Sequence, residues 1–407
     1  MQKRDEKPVT RRQMFYIPGY DPVPPRRYRE LYRAEGADQA DISGYEIELT
    51  PKPKGQKNFG WGVIGKVEGI ETQTQVELLY WADLVQKSMN KSIPATYALL
   101  CQTAWEYIAT GALRRLMKLR KGPILTALYP VFMLLGQLLL AVLVTFLGWW
   151  VGAAWGLGLL GLALGLGLGF GILWWFKQKD AKFFAYYLMH DYGYSARHRG
   201  ENPLELEARM ADFTARIATA METDVDEVLV VGHSSGAHLA VSILADLIRA
   251  GHIRPDGPKL SLLTLGQVIP MVSFLRGAKR LRADLNYLCQ RQELAWVYVS
   301  APGDGATFAL CDPVAVSGVA PATGQLHPLI VSAAFTKTLS EAKRKELGNR
   351  FFRLHFQYLC AFDRPGDYDY FRITAGPLAL GDRFEGRNPS PSRITLAVNH
   401  HTSMVQA

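Results

Sequence analysis

The most informative feature of the pattern is a long stretch without charge. Residues 122–176 contain no Asp, Glu, Lys, Arg or His. A membrane helix needs about 20 apolar residues, and this run is long enough for two. The pattern predicts spans at about 125–148 and 154–175, with a break near Gly148, Trp149, Trp150, Val151 and Gly152. Trp149, Trp150 and Trp155 are expected at the far interface, and Trp174 and Trp175 at the near one, because an indole pairs an apolar ring with an N–H that needs a polar partner. The second span carries glycines four apart (Gly152/Gly156, Gly161/Gly165, Gly165/Gly169, Gly167/Gly171). That spacing lets helices approach closely in lipid, either within the hairpin or between copies as a homo-oligomer; the hairpin is the preferred reading.

On either side the pattern alternates between strand and helix. Residues 1–12 are expected to form a flexible tail. Met14, Phe15, Tyr16 and Ile17 predict a strand, followed by a helix at 28–35 and strands at 45–49 and 75–80, with a basic, Gly-containing loop at 51–57. Residues 94–120 predict a helix leading to the membrane. After the aromatic-rich segment 183–194, Asn202 and Pro203 suit an N-cap and first helical position, and Leu206, Met210, Phe213 and Ile217 recur at helical spacing. Val228, Leu229, Val230 and Val231 form an apolar run expected of a strand buried on both faces. A helix at 236–250, strands at 260–265 and 296–300, a loop at 383–393 and a strand at 394–398 complete the prediction. This alternation predicts an α/β fold with a mostly parallel sheet flanked by helices. The parts are a tail (1–12), the first part of a soluble domain (13–93), a helix to the membrane (94–121), the hairpin (122–176), the main part of the domain (177–382) and a C-terminal tail (383–407). The strands near residues 15 and 229 should share one sheet, which puts both halves on one side of the membrane.

Composition and charge narrow the function classes. The chain has 407 residues, 48% apolar and 20% charged, with 46 Lys+Arg against 37 Asp+Glu. Arg114, Arg115, Lys118, Arg120 and Lys121 precede the uncharged run, and Lys177, Lys179 and Lys182 follow it. Basic flanks stay on the cytoplasmic side, so both termini are expected there, in a bacterial inner membrane. The patch is expected to meet anionic headgroups, and no basic surface interleaved with aromatics points to nucleic acid. Cys101, Cys289, Cys311 and Cys360 form no CxxC pair, which speaks against a zinc finger or disulfide scaffold. The charged start, MQKRDEKPVTRRQ, lacks the apolar core of a secretory signal. The uncharged spans argue against a channel or transporter. No metal or other cofactor is expected; Asp363, Asp367 and Asp369 lack EF-hand spacing.

The candidate chemistry centres on Gly232, His233, Ser234, Ser235 and Gly236, a G-x-S-x-G between a predicted strand and helix. That context is a nucleophile elbow, a tight turn that makes the serine protrude. With the segments 14–22 and about 203–375, the chain resembles the α/β-hydrolase superfamily, and within it lipase-like serine hydrolases similar to class 3 lipases, with the hairpin as an insertion. The resemblance implies a carboxyl-ester hydrolase with Ser234 as nucleophile, and an acid and a histidine later in the chain. Asp304, just past the strand 296–300, is preferred as the acid over Asp312 of the Asp-Pro-Val segment. His355, in a His-x-x-Tyr segment after a strand-like FFRL, is preferred as base over His400 or His401 and over His327. His233 and His238 flank the nucleophile too closely in sequence. The oxyanion hole is expected from the N–H groups of Ser235 and Tyr20, with Gly19 permitting the turn; Pro18 stands where His is frequent in lipases. A catalytically inactive, membrane-tethered interaction module, a thioesterase and an acyltransferase are the alternatives.

Overall fold

In the computed structural model, residues 7–52, 58–348 and 350–405 are described. Eight strands form one sheet: β1 (Arg11–Ile17), β2 (Glu46–Thr50), β3 (Gly60–Val67), β4 (Ile70–Leu78), β5 (Glu227–His233), β6 (Lys259–Leu265), β7 (Leu294–Ser300) and β8 (Leu329–Ser332), in the order β2-β3-β4-β1-β5-β6-β7-β8. Pairing is antiparallel in β2–β3–β4 and parallel from β4 to β8. The fold is therefore α/β with a mostly parallel sheet and flanking helices. As the sequence predicted, β1 and β5 share one sheet; they lie side by side, with Phe15 opposite Val230. β5 is buried along its whole length, which accounts for its unbroken apolar run.

The chain order reverses at the β1–β5 seam: β1 leads out toward β4 and β5 toward β6. The carboxyl ends of two adjacent strands whose connections run in opposite directions leave a crevice between their loops. Pro18, Gly19 and Tyr20 follow β1 at this crevice, and Ser234 follows β5.

Several expectations change. Residues 1–6 of the predicted tail lie outside the described residues, but Arg11 and Arg12 open β1. The Arg12 side chain is fully buried, pairs with Glu227 at 2.5 Å and donates to the carbonyls of Thr374, Gly376 and Leu378. A charge that reads as solvated is thus satisfied in the core. Within the loop at 51–57, residues 53–57 also lie outside the described residues. β3 was missed, because Gly60, Gly62 and Gly65 obscure its alternation. The predicted helix 94–120 is two helices, Ile93–Ala109 and Ala112–Leu119, broken at Gly111 with φ 71°. The helix after Asn202 starts one residue later, at Leu204, with Pro203 as N-cap, and Asn202 donates to Glu207 instead. The C-terminal tail is packed against the domain: Asp312 N–H donates to Ile394 O and Arg282 Nε to Ser403 O, both at 2.8 Å. Only Ile394 of the predicted last strand pairs, in a bridge with Cys311.

Two helices are long and apolar enough to cross a membrane, Lys121–Ala154 and Gly158–Gln178. At 1.5 Å per residue they extend about 50 and about 30 Å. Only 17% of each apolar window is buried, so this is an outward-facing hairpin and not the core of a soluble fold. The turn falls at Trp155–Leu157, not at 148–152. Gly148 and Gly152 are helix contact points: a Cβ on Gly148 would lie 2.8 Å from Gly161 O, and one on Gly152 2.7 Å from Gly161 Cα. Gly161, Gly165 and Gly169 are buried against the first helix. Small-residue packing is thus used inside the hairpin. The foot of the first helix is fastened to the domain by Arg120 Nε donating to Ala309 O (2.9 Å) and Thr126 Oγ1 to Gly305 O (3.2 Å).

Candidate active site

Ser234 sits where β5 turns into the helix Gly236–Arg249, with φ 56°. A serine in the left-handed region is strained and held by its surroundings. Those surroundings are tight. A Cβ on Gly236 would lie 2.2 Å from Ile17 O, and one on Gly19 2.9 Å from Ser234 Cβ. Glycine at both positions lets the loop after β1 close over the turn. Ser234 N–H donates to Leu265 O at 2.9 Å, which pins the turn to β6. Ser234 Oγ has no hydrogen-bond partner among the described residues, nor do the N–H groups of Tyr20 and Ser235. Tyr20 is held in place by its hydroxyl against Ser88 Oγ and by its backbone carbonyl, which accepts from the Tyr187 hydroxyl at 2.6 Å.

Asp304 lies in the loop after β7 and is buried. Its Oδ1 accepts from Ala306 N–H at 2.9 Å; its Oδ2 accepts from His355 Nδ1 at 2.8 Å and from Tyr358 O–H at 3.1 Å. The Tyr358 hydroxyl oxygen in turn accepts from Ala301 N–H at 3.0 Å, so the tyrosine ties the acid to the end of β7. With Nδ1 donating, His355 Nε2 carries the lone pair, and it has no partner among the described residues. Burial pushes His355 toward neutrality, but the charge and hydrogen bond of Asp304, aided by Asp191 and Asp21, raise its pKa above the usual value. His233 packs on His355 with ring centroids 4.8 Å apart, and its Nε2 lies 3.0 Å from His355 O. Burial and the neighbouring imidazole lower its pKa to about 3, so His233 stays neutral near pH 7.

Ser234, His355, Gly19, Tyr20 and Ser235 line one cleft with a cavity volume of about 80 Å³. The structure thus brings together the preferred serine, acid, histidine and both N–H donors. His355 arrives on a short helix, Phe351–His355, and not after a strand. The other candidates lie apart. Asp312 caps the helix Pro313–Val316, accepting from Val314 and Ala315 N–H and from Gln325; it makes no hydrogen bond or ion pair with a histidine among the described residues. His327, His400 and His401 do not line the cleft. His238 does, but burial lowers its pKa to about 4. Asp369 caps the helix Tyr370–Ala375 and accepts from Tyr45. No group of His, Cys, Asp or Glu among the described residues could hold a metal ion.

Sequence reasoning missed Asp191 and Asp21. Both carboxylates line the cleft, whose lining includes no Lys or Arg among the described residues. Burial raises the Asp191 pKa to about 7, opposed by the charge of His355 and reinforced by Asp21. The only signal was its place in the aromatic-rich segment 183–194, which points to burial and not to a site. Comparison of the chain with protein families, curated proteins and solved structures gives no match.

Proposed function

We propose that this chain is a membrane-anchored serine hydrolase of α/β-hydrolase type, acting on a carboxyl ester. The observation that carries the reading is the strained, unpartnered Ser234 in one cleft with a His355 whose Nδ1 is held by buried Asp304. In this mechanism Ser234 Oγ attacks the ester carbonyl carbon while His355 Nε2 takes the hydroxyl proton. The oxyanion is met by the free N–H groups of Ser235 and Tyr20. Collapse expels the alcohol, which takes the proton from His355, and leaves acyl-Ser234. Water, activated by His355, then attacks the acyl carbon and releases the acid and the serine. Asp304 keeps the imidazole in the productive tautomer and stabilises its charged form.

The hairpin anchors the enzyme, with its basic flanks Arg114, Lys118 and Lys121 exposed on the side that faces the headgroups. Both ends of the hairpin join one domain, which supports a cleft on the same side of the membrane as the termini. The test is fluorophosphonate labelling of the purified membrane fraction, wild type beside Ser234→Ala. Labelling of the wild type that is lost in the variant is expected. A well-folded wild-type protein that takes no label would refute the reading and leave a tethered interaction module.

A further inference from the structure

A second cavity lies against the first. Its volume is about 620 Å³, and Thr126, Leu188, Phe351 and Phe352 line both. Its far end is formed by Leu125 and Tyr129 on the first membrane helix and by Lys182, Phe183 and Phe184 just after the second. Tyr129 O–H donates to Phe183 O at 2.7 Å, joining the two feet. The groove therefore runs from beside Ser234 to the place where both spans meet the domain. Leu125 is 67% exposed and Phe184 36%. Apolar side chains left open at that level suit hydrocarbon better than water. Lys182 and Arg350 at the same cavity form no ion pair and no side-chain hydrogen bond among the described residues. Two such cations beside an apolar opening fit the level of lipid phosphates.

We infer that the groove is a lateral entrance from the bilayer, and that its occupant is the acyl chain of an ester lipid still partly embedded in the leaflet. The inference rests on the hydrolase reading and gives it a substrate class. The ester carbonyl reaches Ser234, the chain trails through the groove between the feet of the spans, and the alcohol portion occupies the inner cleft. Asp21 and Asp191 there disfavour an anionic alcohol portion. Leu125 takes no part in the cleft around Ser234 and acts only on the chain.

The test uses the full-length protein in phosphatidylcholine vesicles. Leu125→Trp narrows the groove. It is expected to lower hydrolysis of a vesicle-embedded long-chain ester by about tenfold, the range that a few misplaced methylenes command, while leaving a soluble butanoyl ester within about twofold. Equal rates on the long-chain ester, or equal losses on both, would overturn the groove assignment. A second measurement does not depend on turnover. Ser234→Ala in vesicles containing a lipid with a diazirine on its acyl chain should crosslink at Leu125, Phe184 or Phe352. Crosslinks confined to the outer faces of the spans would sink the entrance while leaving the hydrolase reading intact. Loss of fluorophosphonate labelling in the wild type would instead sink that reading and leave the crosslinks to stand alone.

Discussion

Asp304→Asn gives the sharpest test of the site, because its two possible orientations fail for different reasons. In the first, the amide oxygen keeps the bond from Ala306 N–H, now 2.9 Å, and the amide NH2 faces His355 Nδ1 and Tyr358 O–H at 2.8 and 3.1 Å. The NH2 donates to Nδ1 and drives the proton to Nε2, where it blocks acceptance of the serine proton. Tyr358, already accepting from Ala301 N–H, loses the acceptor for its own proton. In the second orientation the oxygen serves His355 and the NH2 opposes Ala306 N–H, leaving a buried donor unsatisfied at about 1–3 kcal/mol. The charge-assisted bond to His355 is lost in both, at about 1.5–3 kcal/mol. The loss common to both orientations removes about 1.5–3 kcal/mol of transition-state stabilisation, or roughly 10- to 150-fold in kcat, and the wrong tautomer deepens it in the first. The assay is hydrolysis of a p-nitrophenyl butanoate by the detergent-solubilised chain across pH, with thermal unfolding as a folding control. Neutral His355 is the active form, and Asp304 raises its pKa. The acid limb of the profile should therefore move to lower pH in the variant as the plateau falls. A well-folded Asp304→Asn variant within tenfold of wild type, with an unmoved acid limb, would refute the assignment.

Two further outcomes separate cleft from scaffold. Burial raises the Asp191 pKa to about 7, against about 4 in an unfolded chain. The folded state therefore holds a proton that the unfolded state has lost between those values, and stability falls as pH rises through the window, by up to about 4 kcal/mol once both are ionised. Asp191→Asn should unfold at higher temperature than wild type at pH 8, with a smaller gain at pH 5; parallel profiles would show that the carboxylate is not desolvated. Asp312→Ala removes a helix cap and the partner of Gln325, and is expected to cost about 1–2 kcal/mol of stability with kcat retained. A kcat loss as deep as that of Asp304→Asn would return Asp312 to the catalytic role.

The chain alone specified those features whose physics is local. The hairpin follows from an uncharged run long enough to satisfy its own backbone in lipid. The buried strand β5 follows from a continuous apolar run, β6 and β7 from short segments rich in apolar residues, and the Ser234 turn from small residues between a strand and a helix. Local pattern also misled where a residue's partner lies far away. Arg12 reads as tail until Glu227 and three carbonyls surround it. Gly148 and Gly152 read as a helix break until Gly161 packs against them across the hairpin. The choice between Asp304 and Asp312 belongs to the tertiary structure. Both are buried aspartates in loops after β7, and one meets His355 while the other caps a helix. The place of the Asp191 carboxylate in the cleft and the groove at the foot of the hairpin arise only when the helices flanking the hairpin close over the sheet's carboxyl edge. Periodicity and turn chemistry depend on neighbours along the chain, so they can be read from sequence. A hydrogen bond spanning 51 residues depends on where the backbone carries two side chains, and only the fold decides that.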